Sequence, residues 1–222
     1  MKRIGVFASG GGSNSYALAA YLGALGNNAP AEVVVVVSHR STAGALERAK
    51  KRGIATATIT NPANADAILA LLAEHRVDLI VLAGYLKHVP AAVTDAYAGR
   101  IVNIHPALLP RHGGSGMYGM RVHVAVLEAG DTQSGATVHF VDAQYDRGAT
   151  IVQARVTVEP GDTAELLAAR VLTAEHFVLP RAVHALATGA VRLGPDGAAV
   201  IDAAAVPLFT NPPRGIGVTV GT

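Results

Sequence analysis

The sequence predicts an α/β protein built on a doubly wound, mostly parallel sheet of Rossmann type, with helices on both faces. Three observations predict it. Short apolar runs alternate with stretches of helical spacing along most of the chain. Val33–Val37 is a run of five valines, which favours a strand buried on both faces. The first apolar run exits into Ser9-Gly-Gly-Gly-Ser-Asn14, a Gly-rich turn of the kind that opens the first helix of such sheets.

In order, Ile4–Ala8 reads as a strand ended by glycine and Tyr16–Leu25 as a helix. Glu32–Val37 is the second strand. Ala43–Arg52 is helical, with Ser41 or Thr42 as N-cap and Gly53 as its stop. Ala55–Ile59 reads as a short strand and Asn64–His75 as a helix capped by Asn64 or Asn61. Leu79–Ala83 and Ile101–Ile104 are further strands flanking a short helix, and Val122–Ala129 is helical. Ala136–Val141 and Thr150–Val158 read as strands. Thr163–Ala187 is a long helix in which Pro180 is expected to mark a kink or break. After Leu193 the sequence turns loop-like, so residues 1–193 are expected to form one catalytic domain and 194–222 a tail.

Composition narrows the chemistry. The 222 residues are 50% hydrophobic, enough for a full core without staples. With no Cys, disulfides and Cys-bound metal are excluded, and the nine scattered His residues do not suggest a metal site. The net charge is +2, and the longest basic run, Lys50-Lys51-Arg52, reads as a solvated helix end. Neither a nucleic-acid partner nor a membrane is expected. The apolar run behind Met1-Lys2-Arg3 is too short for a signal or a span, so a cytoplasmic location is expected.

Ligands of doubly wound sheets bind beyond the carboxyl ends of the strands. Three such exits carry chemistry-bearing residues. In the first, glycines let backbone N–H groups curl around an anion while Gly12, Ser13 and Asn14 add a helix N-terminus and side-chain donors, which suits a phosphate. The plainer alternative is a tight turn that needs glycine for its own geometry. Ser15 stands where a dinucleotide loop has its third glycine, and no acidic residue closes the second strand, which leaves an NADP-binding oxidoreductase or a catalytically silent nucleotide-binding protein as rivals. In the second exit, Asn103 and His105 are two apart on a strand, so both point one way while Ile104 points the other. An amide beside an imidazole can stabilise a developing oxyanion, or the pair can be a turn cap and a core histidine. The third exit, His139–Gly148, holds Asp142 and Asp146; an isolated loop Asp is ordinarily a turn residue.

Taken together, Asn103-Ile-His-Pro-Ala-Leu-Leu-Pro110, Gly135-Ala-Thr-Val-His-Phe-Val141 with Asp146-Arg-Gly148, the opening Ser9–Asn14, Val81-Leu-Ala-Gly-Tyr85 and Ala174-Glu-His176 resemble the phosphoribosylglycinamide formyltransferase family in order and spacing from about Lys2 to Leu193. The resemblance implies that the amine of glycinamide ribonucleotide attacks the formyl carbon of 10-formyltetrahydrofolate, a co-substrate, without metal. It implies that Asn103 and protonated His105 stabilise the oxyanion and that Asp146 keeps His105 protonated and moves a proton. On that basis the three should converge, and His105 should have a raised pKa. The same resemblance gives Gly12, Ser13 and Asn14 the substrate phosphate and Glu175 its ribose or glycinamide end. Leu86, Lys87, His88 and Val89, with Val141, Asp142 and the rest of the Val141–Asp146 loop, line the pteridine pocket.

This chain departs from many family members. Arg111–Met120 is longer and richer in glycine, and is expected to act as a lid. Asn61–Ala67 lacks the usual Arg and aromatic residue, and Lys87 replaces a frequent Arg. The nearest alternatives are a methionyl-tRNA formyltransferase, which normally adds a basic C-terminal domain, and a formyltetrahydrofolate hydrolase, which normally adds an N-terminal one. A monomer or homodimer acting on small molecules is expected.

Overall fold

Parallel strands covered on both faces need near-continuous apolar runs, and the first half of the chain supplies them. In the computed structural model, which describes residues 1–142 and 144–221, these runs become β1 (Lys2–Phe7), β2 (Ala31–Ser38), β3 (Ala55–Thr58), β4 (Leu79–Leu82) and β5 (Ile101–His105). Ala143, inside the predicted pocket loop, and Thr222, the end of the predicted tail, lie outside the described residues. The chain divides into two compact units, Met1–Asn103 and Ile104–Thr222.

In the first unit, β1 pairs in parallel with β2 and β4, β2 with β3, and β4 with β5, giving the order β5-β4-β1-β2-β3. Between them run α1 (Ser13–Ala24), α2 (Gly44–Lys50), α3 (Ala65–Glu74) and α4 (Ala91–Ala96). Of the five valines, Val35, Val36 and Val37 are buried and Val33 and Val34 half-buried, so the run is covered most fully towards its carboxyl end. Asn64 caps α3 as expected, its side-chain oxygen accepting the Ala67 N–H at 3.0 Å. The expected Ser41 or Thr42 cap on α2 does not form. Ala43 holds that position, and the Ala45 N–H donates to the Gly10 carbonyl at 3.0 Å, so backbone replaces side chain.

The second unit begins inside β5 and contains α5 (Met120–Glu128), β6 (Gln133–Phe140), β7 (Thr150–Thr157) and α6 (Ala164–Thr188). β6 and β7 are antiparallel, since the segment between them is too short for a helical crossover. α6 starts at the Thr163 cap, ends at Gly189 in the left-handed region, and runs through Pro180 without a break. The lost N–H is tolerated because α6 is anchored along its length by a buried face that includes Leu167, Val171, Val178 and Val183. The segment after Leu193 is more ordered than expected. β8 (Val191–Leu193) and β9 (Ala199–Ile201) form a hairpin turned at Gly197, and β10 (Ile216–Val220) pairs antiparallel with β7. Among the described residues no helix is long and apolar enough to cross a membrane.

Among the glycines of the first unit, Gly12 has the least room for a side chain. Its φ is +75, and a Cβ there would lie 2.6 Å from both Cα and Cβ of Ala45. Gly12→Ala should therefore destabilise the protein by roughly 2 kcal/mol or more, read from urea unfolding. Gly10→Ala, where a Cβ would meet nothing within 4 Å, should change stability by no more than about 0.5 kcal/mol. Equal stability of the two variants would show that the loop is not pressed against α2.

Candidate active site

β5 delivers its last residue, His105, into the second unit almost fully buried, at 4% exposure. The chain beyond it is braced by two buried polar side chains. Thr137 of β6 donates its hydroxyl to the Ala107 carbonyl at 2.7 Å and accepts the Leu109 N–H at 3.1 Å. Gln153 of β7 donates to the Leu109 carbonyl at 2.8 Å and to the Thr137 hydroxyl at 3.1 Å. These four bonds fix the exit of β5 against a hairpin, so His105 does not depend on a free loop for its position.

The ring of His105 is oriented by chemistry that admits one reading. Its Nε2 lies 2.8 Å from the backbone carbonyl of His112. A carbonyl only accepts, so Nε2 carries a proton. In the neutral ring, Nδ1 is then a lone pair, and it faces Asp146 Oδ2 at 3.5 Å. Two electron-rich atoms thus confront each other until a proton is placed on Nδ1, which converts the contact into an ionic hydrogen bond. His139 mirrors this arrangement. Its Nδ1 donates to the Phe140 carbonyl at 2.7 Å, and its Nε2 lies 3.5 Å from Asp146 Oδ1. The carboxylate is therefore set between two imidazoles.

Asp146 reaches that place through a left-handed backbone, φ +53, and its Oδ2 accepts the Gly114 N–H at 2.9 Å. Two residues on, a Cβ on Gly148 would fall 2.0 Å from the Phe140 carbonyl oxygen, so the loop's return lies directly on the end of β6. The other loop carboxylate, Asp142, accepts the Gln144 N–H at 2.7 Å in a local turn and is exposed.

Asn103 stands two residues before His105 on β5, on the same face of the strand. Glu175 is buried on α6. In the first unit, Gly12 is the N-cap of α1, and Ser13 and Asn14 form its first turn. The packing of Gly12 on Ala45 shows that the turn alone requires that glycine, whereas Gly10 and Gly11 have open space at their Cβ positions. Ser9 ties the start of this loop to the turn after β4. Its N–H donates to the Gly84 carbonyl at 3.0 Å, and its hydroxyl accepts the Leu86 N–H at 2.8 Å and faces His39 Nδ1 at 3.2 Å. Leu86, Lys87 and His88 are exposed beyond that clamp, Val89 is buried, and Val141 in the second unit is half-buried. Among the described residues no group of three or more His, Asp or Glu is arranged to hold a metal ion.

Comparison with known proteins follows the same residues. The formyl transferase family profile matches residues 2–183. The phosphoribosylglycinamide formyltransferase of Haemophilus influenzae is 37% identical over 215 residues, covering 93% of this chain and 97% of its own. The chain belongs to the phosphoribosylglycinamide formyltransferase family. The chloroplastic phosphoribosylglycinamide formyltransferase of Arabidopsis thaliana is 38% identical over 207 residues, 90% of this chain and 70% of its own length. The crystal structure of phosphoribosylglycinamide formyltransferase from Anaplasma phagocytophilum matches with a TM-score of 0.82 at 35% identity, over 90% of this chain and 92% of that one. As a member of this family the chain is a transferase with an α/β fold.

The electrostatics around His105 correct one expectation. The His105 pKa is lowered, not raised. Burial pushes it below its ordinary 6.5; the Asp146 carboxylate and the His112 carbonyl pull it up, and His139 and His112 add to the fall. Desolvation of a nearly inaccessible ring outweighs an ion pair stretched to 3.5 Å. For Asp146, burial is the largest single influence and pushes upward. Even so, the His139 hydrogen bond, the His105 charge, the Gly114 N–H and the His139 charge together hold the carboxyl below 3.8. Sequence reasoning did not single out Thr137, His139, His112, Asp131 or Gln153. Thr137 and His139 did carry a signal, since they alternate on β6 and so share a face.

Below pH 6.5 the unfolded chain holds a His105 proton that the native state releases, so this group weakens the fold as pH falls from 6.5 through the lower folded value. The Asp146 contribution is complete above 3.8 and is lost as pH falls through its depressed folded value. NMR titration of the unliganded enzyme should find the His105 midpoint below 6.5, and Asp146→Asn should lower it further. A midpoint above 6.5 would show that Asp146 outweighs burial.

Proposed function

We propose that this formyltransferase moves the formyl group of 10-formyltetrahydrofolate to the amine of glycinamide ribonucleotide, a step of purine biosynthesis. The observation that carries the reading is the arrangement of His105 Nδ1 opposite Asp146 Oδ2, with the other ring nitrogen tied to a carbonyl. It leaves one nitrogen, beside a carboxylate, to take up the proton that an oxyanion requires.

In this mechanism the amine nitrogen attacks the formyl carbon and the carbonyl electron pair moves onto oxygen. The Asn103 amide and the His105 Nδ1–H bind that oxyanion. As negative charge grows on that oxygen, Nδ1 takes up a proton from solvent, so that a histidine neutral at rest becomes charged, and it returns that proton to solvent as the carbonyl re-forms. Asp146 takes a proton from the attacking nitrogen and delivers it, through water, to N10 of the folate. The C–N10 bond breaks as the carbonyl re-forms, with no covalent enzyme intermediate. The backbone and side chains of Gly12, Ser13 and Asn14 hold the substrate phosphate at the start of α1. Glu175 receives the ribose or glycinamide end. Leu86, Lys87, His88, Val89, Val141 and Asp142 line the folate site. Residues 1–193 form the catalytic domain in this reading, and 194–222 a tail that supplies β10.

A formyl-transfer assay with both substrates tests the reading. The wild-type enzyme should formylate glycinamide ribonucleotide, and Asp146→Asn should lower kcat on the order of 10²-fold or more with a smaller change in KM. Ser13→Ala with Asn14→Ala should instead raise KM for the nucleotide. Turnover of Asp146→Asn close to wild type would leave Asp146 as a loop residue and sink the mechanism.

A further inference from the structure

His105 owes its orientation to a carbonyl, and that carbonyl belongs to a residue whose own conformation needs support. His112 has φ +54, the left-handed region, which side chains other than glycine occupy only when something holds them there. Asp131 supplies that support. The His112 Nε2 lies 2.7 Å from Asp131 Oδ2, and the Arg111 guanidinium bonds the other oxygen, Oδ1, at 2.7 Å. Asp131 sits between the end of α5 and the start of β6, with its backbone N–H on the Val126 carbonyl, so it is part of the framework and not of the Gly-rich stretch it restrains. His112 and Asp131 are both half-buried, at 13% side-chain exposure, whereas Arg111 is largely in solvent at 66%.

The order of tethers along the chain shows what this contact does. Thr137 and Gln153 fix the segment as far as Leu109, and Gly114 is next fixed by its N–H on Asp146. Between these points the His112–Asp131 contact sets the direction of the peptide whose oxygen meets His105. We propose that Asp131 and His112 are positioning residues for His105: the carboxylate holds the His112 side chain, this aims the His112 carbonyl at His105 Nε2, and the proton of the neutral ring is thereby confined to the nitrogen that faces away from Asp146. The proposal rests on the reading of His105 as the oxyanion-binding group. Without the tether, neutral His105 is free to carry its proton on Nδ1, where it bonds Asp146 and is no longer available to an oxyanion.

The test separates this from a merely structural role. In the unliganded protein, ¹⁵N chemical shifts of the ring nitrogens report the His105 tautomer directly. Wild type should show the proton on Nε2 alone. Asp131→Ala should show a mixture of tautomers, with kcat lower by roughly 10- to 10²-fold and KM for both substrates changed by less than about twofold. His112→Phe, which keeps a ring but deletes the tether, should behave in the same way and serves if Asp131→Ala does not fold. Asp131→Asn retains an acceptor for His112 and should restore the single tautomer. Arg111→Ala, which leaves the His112–Asp131 contact in place, should also keep it. A single Nε2–H tautomer in both Asp131→Ala and His112→Phe overturns the proposal. Because the tautomer is read without substrate, that outcome is distinct from a wild-type enzyme that fails to transfer formyl, which would overturn the functional reading alone.

Discussion

A buried neutral imidazole has one proton to direct, and in this protein the carbonyl of His112 decides where it points. Everything around His105 is arranged about that bond of 2.8 Å. Because the carbonyl takes Nε2–H, the unprotonated nitrogen looks at Asp146. For Asp146 to stand there, its backbone turns left-handed and its carboxylate leans on the Gly114 N–H. For His105 to stay in line, the strand exit is clipped by Thr137 and Gln153, two polar groups buried in a β-hairpin and satisfied largely by backbone. The active centre is a set of hydrogen bonds in which each acceptor dictates the next donor.

Burial and charge oppose each other in this centre, and burial prevails at rest. A carboxylate beside an imidazole would ordinarily be expected to keep it charged. The 3.5 Å separation weakens the attraction between Asp146 and His105, and burial of the His105 ring outweighs it. In the proposed mechanism the developing oxyanion supplies what the resting site lacks, by drawing a proton onto His105 Nδ1 beside the Asp146 carboxylate.

Much of the fold was legible because its signals are local. Five valines in a row can hardly be other than a buried strand, and Asn64 announces α3 by its own side chain. That Asn103 and His105 share a face of β5 was legible for the same reason, since two residues two apart on one strand do so whatever surrounds them. The failures share a cause too. Ser41 and Thr42 look like caps, but the Gly10 carbonyl, remote in sequence, took the bond that a cap would accept. Pro180 looks like a break, but the buried face of α6 overrides the loss of one N–H. The tail looks like loop because β10 is short and contains glycine, and its strand character depends on β7 as a partner. The protonation of His105 was misjudged because a carboxylate can be recognised in a sequence, whereas the depth of burial that outweighs it is a property of the assembled core. Asp131 and His112 carry no motif at all; their meaning appears only when a carbonyl is seen to need aiming.

Two glycines have a further consequence. At Gly135 an added Cβ would meet the Ala154 carbonyl oxygen at 1.9 Å, and at Gly148 the Phe140 oxygen at 2.0 Å. In both cases the obstacle is backbone, which no rotamer change can clear. Neither glycine has a part in the proposed chemistry. In a saturation scan of this enzyme scored by growth or product, the two positions would nonetheless tolerate as little as His105 and Asp146, the residues proposed to handle protons. Intolerance there would report how closely β6 is pressed against β7 at Gly135 and against the loop behind Asp146 at Gly148. Telling such positions from those that handle protons requires a readout of folding beside the readout of turnover.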